Sequence, residues 1–347
     1  MKRLAMVAIW ILVLGIGWAV AQAPGRWVKL APFPDPSEEL YGAAANGKLY
    51  VFGGLAPGWN PKGLVYEYDP STGKWTKKKP MPLPSHHVAF ADLNGKIYAF
   101  GGFVLPASGP AGWAPLNNAW EYDPAADTWK ALAPMPTKRG SPVAAVVNGK
   151  IYVIGGAGLH PGSSEPALVG NRPHRSFSTV EEYDPATNTW REREPMPTAR
   201  NHSAVGVVGG KIYVIGGRVG AAFSGTASNT DVVEEYDPAT DSWGAVRARM
   251  PTLRSASAWG TYKGRIYVAG GELQAAQGAM AYRVVEAYDP AGNQWFTMPA
   301  MPLQRHGLAG GVIGNRFYLV SGNVQSGSVA GMELSSDAND AFEFTEK

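Results

Sequence analysis

Short apolar runs, punctuated by turn residues, set the pattern of this chain. Val143-Ala144-Ala145-Val146-Val147 is rich in small and β-branched side chains and reads as a strand in a crowded place, beside a central axis. It stops at Asn148-Gly149, a strong hairpin signal because a type I′ turn needs positive φ at both central positions. A second apolar run ends at Gly155-Gly156, where a backbone without Cβ atoms can turn and approach its neighbours. A third ends in Asp184-Pro185, whose acceptor side chain and fixed φ start a turn into a fourth run around Trp190. Four short strands in succession are predicted.

The unit recurs. Turns equivalent to Asn148-Gly149 fall at Asn46-Gly47, Asn94-Gly95, Gly209-Gly210, Lys263-Gly264 and Gly314-Asn315. A tyrosine precedes the glycine doublet at Tyr50, Tyr98, Tyr152, Tyr213 and Tyr267, and Tyr318 leads a sixth copy in which Ser321-Gly322 replaces the pair. Tyr-Asp-Pro begins at Tyr68, Tyr122, Tyr183, Tyr236 and Tyr288, each followed by a tryptophan: Trp75, Trp129, Trp190, Trp243 and Trp295. Met-Pro comes next, at Met81, Met135, Met196, Met250 and Met301. The period, about 50 residues, is that of propeller blades.

The two termini complete one unit between them. The sixth copy runs through Phe342-Glu343-Phe344 and stops before any tryptophan, whereas Trp27 and Phe33-Pro34 supply a fourth strand and its link at the other end. Six complete blades require that the ends share one, which removes the weakest seam of a closed ring.

The doublet, the spaced tyrosine and tryptophan, and the Met-Pro-x-x-Arg link resemble the Kelch repeat from Trp27 to Phe344. The resemblance implies an all-β fold: a six-bladed β-propeller of four-stranded Kelch-type blades, closed by N-terminal strand pairing with the C-terminal blade. It implies little about activity, because Kelch propellers include adaptors, secreted binders and a few enzymes. Ligands of such propellers usually meet the face with the longer loops.

Composition fits this picture: 43 glycines, 28 prolines and 11% aromatic residues favour many short strands and tight turns over disorder. The net charge is +3, and Lys2 and Arg3 supply two of those charges, so the remainder makes no electrostatic case for nucleic acid. Those two residues precede an apolar run from Leu4 to Val20, which reads as a signal peptide over 1–21, with the mature domain, a single propeller over 22–347, beginning near Gln22. The alternative is an uncleaved membrane anchor facing outward, since the run is almost long enough to span a bilayer. Without cysteine, neither a lipoprotein anchor nor a disulfide is available.

In an up-and-down blade, the turns after strands one and three share one face, and the strand 2–3 loops and inter-blade links share the other. The first set is short and uniform. The second varies, with long stretches from Phe103 to Asn118, Ala157 to Thr179, Arg218 to Asp231 and Asn323 to Ala341, and variable loops on a rigid ring are where binding usually resides. Alignment on the hairpin turns places Ser37, Ser85, Arg139, Arg200, Arg254 and Arg305 at one equivalent position of the links. The next two positions bring Glu38 and Glu39, His86 and His87, His202 and His306 to the channel mouth. Trp59 and Trp113 lie in loops of the same face.

Each candidate has two readings. The arginines either form an anion-binding mouth or bond neighbouring backbone and carboxylates within the ring. The histidines show no helical ligand spacing, so neither a metal nor another cofactor is expected. Trp59 and Trp113 either anchor long loops or stack on sugars.

The expected function is an exported, non-catalytic binding module, a secreted or periplasmic monomer that recognises a protein, peptide or glycan on the variable face. It is expected to contact no nucleic acid and not to insert into membrane after signal cleavage. The alternative is a sugar-processing enzyme similar to N-acetylneuraminate epimerases, with the arginines holding a sugar carboxylate and Glu38 or Glu39 moving protons. Copper oxidases with Kelch-like propellers use a cysteine–tyrosine cross-link, which this chain cannot form.

Overall fold

The computed structural model describes residues 24–108, 112–169, 174–220, 227–275, 278–326 and 334–345. The expected signal segment, and its alternative as an anchor, lie outside them. Among the described residues no helix is long and apolar enough to cross a membrane.

Six four-stranded antiparallel sheets follow one another around an axis. Blade 3 is typical. Val143–Val147 pairs with Lys150–Ile154, which pairs with Val180–Asp184, which pairs with Thr189–Arg193 on the outside. The expected turn fits its prediction, with Asn148 and Gly149 at φ 50° and 74°. The innermost strands of the other blades are Glu38–Ala45, Ala89–Leu93, Ala204–Val208, Ala258–Tyr262 and Ala309–Ile313. Their glycines and alanines admit close packing at the axis. A Cβ added at Gly42 would come within 2.2 Å of the Gly310 carbonyl oxygen.

The sixth blade closes as the sequence requires. Gly25–Lys29 forms its outer strand against Asn339–Phe344, with Trp27 opposite Phe342 and Gly25 opposite Phe344. The long connection expected to reach Ala341 ends three residues earlier, because Asn339, Asp340 and Ala341 already pair with Val320, Leu319 and Tyr318.

The apolar core lies between blades. Each of the six seams holds its own cluster of buried side chains, and each takes one side chain from the Met-Pro position: Met81, Met135, Met196, Met250, Met301 or, at the closing seam, Phe33. Full burial of one such side chain stabilises by about 1.5–3 kcal/mol. The outer-strand tryptophans lie against the seams with their indole N–H donating to the preceding link. Trp75 bonds the Ala31 carbonyl, Trp129 Lys79, Trp190 Ala133, Trp243 Glu194, Trp295 Ala248, and Trp27 bonds Pro299.

The glycine doublets make further seam bonds. The amides of Gly102, Gly156, Gly217, Gly271 and Gly322 donate to the carbonyls of Arg139, Arg200, Arg254, Arg305 and Ser37 in the next link. Gly101 shows why the position before is glycine: φ is 64°, and a Cβ would stand 2.3 Å from the Arg139 carbonyl oxygen.

The two faces differ as expected. Beyond the doublets, short two-stranded hairpins rise over blades 2 to 5: Phe103–Val104 with Ala114–Pro115, Ala157–Gly158 with Arg175–Ser176, Arg218–Gly220 with Ala227–Asn229, and Glu272–Ala275 with Gly278–Ala281. They form a second storey above the channel mouth.

Removal of residues 341–347 takes away the strand that joins Gly25–Lys29 to the ring. Chemical unfolding of this truncated chain is expected to show a large loss of stability for the whole domain. An unchanged, cooperative transition would show that the shared blade does not close the ring.

Candidate functional site

The links enter the ring through the arginines, and these do not face the channel mouth. Arg139, Arg200, Arg254 and Arg305 are 0–1% exposed. Arg139 donates to Glu181 at 2.6 Å and to the Val153 carbonyl; Arg200 to Glu234 at 2.5 Å and Val214; Arg254 to Glu286 at 2.5 Å and Val268. Arg305 donates to Asp340 at 2.7 Å and to the carbonyls of Ser321 and Ala338. Each guanidinium ties the link to the second and third strands of the blade it leads into. The anion-binding mouth is therefore corrected: these four groups are consumed by carboxylates and carbonyls inside the sheets.

Two residues further on, the backbone enters the left-handed region in every blade. Glu39, His87, Ser141, His202, Ala256 and Gly307 have φ between 51° and 57°. Amide-to-carbonyl bonds link them round the axis: Ser141 to His87, His202 to Ser141, Ala256 to His202, Gly307 to Ala256, and Leu40 to Gly307. This geometry turns the side chains inward. Small residues then make room for large ones, since a Cβ at Gly307 would lie 3.2 Å from the Glu39 carboxyl carbon.

Glu39, His87 and His202 meet there, with one potential ligand atom from each lying within 4.8 Å of the others. Nε2 of His87 is 3.0 Å from Oε2 of Glu39, without the alignment of a hydrogen bond. The two imidazoles pack edge to face, their centroids 4.7 Å apart. His202 donates or accepts at both ring nitrogens, with Asn201 Oδ1 at 2.5 Å and Ser141 Oγ at 3.3 Å. His86 meets His87 through their Nδ1 atoms at 2.5 Å.

A second group lies beside the first. The residue after each glycine doublet is Leu55, Phe103 or Ala157 in blades 1 to 3, but Arg218, Glu272 or Asn323 in blades 4 to 6. Arg218 pairs with Glu272 and also donates to Ser255 Oγ at 2.8 Å. Glu272 accepts from Gln274 at 2.8 Å and Ser326 at 2.5 Å, with His306 Nε2 at 3.5 Å. Glu38 accepts from Asn323 at 2.7 Å and stands 3.9 Å from His306. A continuous buried polar network thus fills the mouth on one side.

Its ionisable groups are displaced from their ordinary states. Burial pushes Glu38 up to about 7, opposed by His306 and Asn323 and assisted by the charges of Glu39 and Glu272. Burial acts on Glu39 in the same sense, but His87, with His306 and Arg218, more than offsets it and holds the carboxyl at about 2. His86 and His202 lie well below the usual imidazole range, chiefly through burial and, for His202, also through Arg218. Between about pH 2 and about pH 7 the two adjacent glutamates therefore favour opposite protonation states.

The other half of the mouth is apolar. Phe103, Trp113, Ala157 and Leu168 form a separate buried cluster with Trp59 and Leu159 against it. Trp113 covers His87 at 4.6 Å and His86 at 5.1 Å between ring centroids, and meets Trp59 at 6.2 Å. Trp113 thus covers the histidines, and Trp59 packs against Trp113. Below the network, an axial cavity is lined by Glu39, Ser141 and His202 at the top and Phe90 and Trp259 lower down.

The structure brings Glu38, Glu39, His86, His202 and His306 together, as their register predicts, but buries them under the second storey. All five are 7% exposed or less. His160 is exposed on the long loop of blade 3, and His174 is buried, bonded to the Val169 carbonyl at 3.0 Å. Arg218, Glu272 and Asn323 escaped the sequence reading, although their shared register after the glycine doublet is a visible signal.

Six blades and this mouth define a Kelch-type propeller, and comparison with known proteins agrees. The KLHDC2/KLHL20/DRC7 Kelch-repeats domain family matches residues 25–196, and the Kelch motif matches residues 199–243 and 254–302. The chain belongs to the Kelch-repeat β-propeller family. It is similar to Kelch-like protein terF of Aspergillus terreus, 28% identical over 317 residues that make up 88% of this chain and 66% of that one. It is also similar to Kelch repeat and BTB domain-containing protein 12 of Homo sapiens, 32% identical over 181 residues, half of this chain and 28% of that protein. The chain thus spans just under two thirds of the first relative and less than a third of the second. The solved structure of YjhT has the same fold, with a TM-score of 0.73 at 18% identity over 92% of this chain and 97% of that one.

Arg200→Ala leaves Glu234 buried without its cation and is expected to cost about 3–5 kcal/mol in urea unfolding, whereas Arg200→Met with Glu234→Leu recovers most of that. An Arg200→Ala variant as stable as wild type would remove the structural role. Glu38 binds its proton more tightly folded than unfolded, so its contribution to stability is lost as pH rises from about 4.5 to about 7. The stability advantage of Glu38→Gln over wild type should therefore grow across that window and level off above it. Parallel stability curves for the two proteins would show that Glu38 titrates normally.

Proposed function

We propose that this propeller is a binding module for a protein partner, engaged through the variable face over blades 5 and 6. The observation that carries this reading is a groove on that face. It is lined by Met280, Tyr282, Arg283, Val324, Gln325 and neighbouring residues of the blade 5 hairpin and blade 6 loop. Of the four large apolar side chains that are exposed among the described residues, Leu253, Met280 and Leu334 belong to links or loops of this face. Leu334 is held beside the groove by its carbonyl, which accepts from the Val324 amide. Exposed apolar groups with a polar rim are the usual anatomy of a protein contact. Kelch propellers commonly act as protein-interaction modules, which supports the same reading.

Export belongs to the proposal: Lys2, Arg3 and the apolar run from Leu4 to Val20 support a cleaved signal, and N-terminal sequencing of the exported chain should start near Gln22. For binding, peptides selected by display against the full mature chain should lose at least about tenfold in affinity on Met280→Glu and not on Ala125→Glu, which alters the opposite face. Equal losses, or none with Met280→Glu, would sink the groove as the site.

A second reading, a sugar epimerase, draws support from Glu38, whose position near neutrality suits a proton-transferring group. The arginines that would have held a sugar carboxylate are occupied within the blades, which weakens it. Anomer exchange of N-acetylneuraminate followed by NMR decides: acceleration that Glu38→Gln abolishes supports the enzyme, and no acceleration over buffer removes it.

A further inference from the structure

The convergence of Glu39, His87 and His202 has a geometry that ordinary packing does not explain. They come from blades 1, 2 and 4, and left-handed backbone turns aim all three at the axis. Two buried imidazoles and a carboxylate share a space within which their ligand atoms lie no more than 4.8 Å apart. Ligands held about 2.0–2.2 Å from one zinc-like ion stand roughly 3–3.5 Å from one another. The Glu39 Oε2 to His87 Nε2 separation of 3.0 Å fits that spacing, and its misalignment leaves this buried nitrogen without a hydrogen-bond partner.

The surroundings orient the donors. Asn201 Nδ2 donates to Ser176 Oγ at 2.8 Å, which turns its Oδ1 to His202 Nδ1 at 2.5 Å. Nδ1 of His202 therefore carries the proton and Nε2 keeps its lone pair, as in metal-binding histidines steadied by an outer amide or carbonyl. At His87, Nδ1 faces Nδ1 of His86 at 2.5 Å, where one proton serves both rings. When His87 supplies it, a metal ion can take the place of the Nε2 proton beside Glu39 and keep a positive charge against that carboxylate. Ser141 Oγ, 3.3 Å from His202 Nε2, adds a neutral oxygen at the edge of the cluster.

We propose that Glu39, His87 and His202 form a binding site for one divalent transition-metal ion at the propeller axis. Two imidazoles and a carboxylate suit zinc, iron(II) or cobalt(II) over magnesium or calcium, which prefer oxygen-rich sites. Glu39, Ser141 and His202 also line the axial cavity, so the ion has three protein ligands and a side that opens inward. That is the pattern of a site that keeps a coordination position for a further ligand, not of a closed structural site.

The tag-free mature chain, stripped with EDTA, is titrated with ZnCl2 by calorimetry and with CoCl2 by visible absorption. One ion per chain, a raised melting temperature and cobalt d–d bands are expected. His202→Ala and Glu39→Gln, each shown to be folded by circular dichroism, should abolish uptake. Asn201→Ala should weaken it by roughly 10–100-fold at unchanged stoichiometry, as befits a positioning residue. Failure of the wild type to take up one saturable ion overturns the site, as does undiminished uptake by either folded variant. Should neither variant fold, paramagnetically shifted imidazole protons in the cobalt-loaded wild type decide: two shifted histidine rings support the site, and none overturns it.

Discussion

The apolar surface of each blade is buried only by the blades on either side. A four-stranded sheet with Tyr152 and Ile154 on one face and Ile151 and Val153 on the other has no core of its own, and those residues divide between two seam clusters. Every blade therefore needs both neighbours, and the condition can be met for all six only if the ring closes. That requirement makes sense of features that would otherwise look unrelated: the pairing of Trp27 with Phe342, the glycines opposite the next link, and a seam side chain at every Met-Pro position. The tryptophan N–H bonds and the doublet amides repeat the same coupling at the outer and upper margins of each seam.

A ring held this way can carry polar groups of two kinds at its mouth. The arginines of blades 3 to 6 lock links to sheets, and their partners are buried with them. The left-handed residues two positions later are fixed by backbone bonds that circle the axis, so their side chains are free to differ, and Glu39, His87 and His202 occupy three of those places. Opposed protonation of Glu38 and Glu39 follows from this crowding: burial governs one, and neighbouring histidines govern the other.

The fold was legible in the sequence because it is written in repeats. Hairpin turns, doublets and tryptophans recur in register, and even the shared blade follows from counting strands. The structural role of the arginines was legible too, within the repeats themselves. Blades with arginine in the link have an acid at Glu181, Glu234, Glu286 or Asp340, whereas blades 1 and 2, with Ser37 and Ser85, have Tyr66 and Trp120 there. Register brought these side chains to the mouth, but how closely they group there could not be read. His87 and His202 are more than a hundred residues apart, and only the inward turn of the backbone brings their rings to 4.7 Å. Nor did loop length reveal that the second storey would cover the mouth, since that depends on hairpins such as Phe103–Val104 with Ala114–Pro115 and on the packing of Trp113 over His87.

The strand Gly25–Lys29 has its partner in Asn339–Phe344, some three hundred residues later. Long-range pairing of this kind is slow to form, because the chain must close a very large loop before the contact stabilises anything. During synthesis from the N-terminus, the intermediate blades can assemble locally while the first strand waits, and an open edge persists until the last residues arrive. The finished domain is thus marked off from every shorter chain by a single late event, and an interrupted product keeps exposed the strand edge that the complete protein hides.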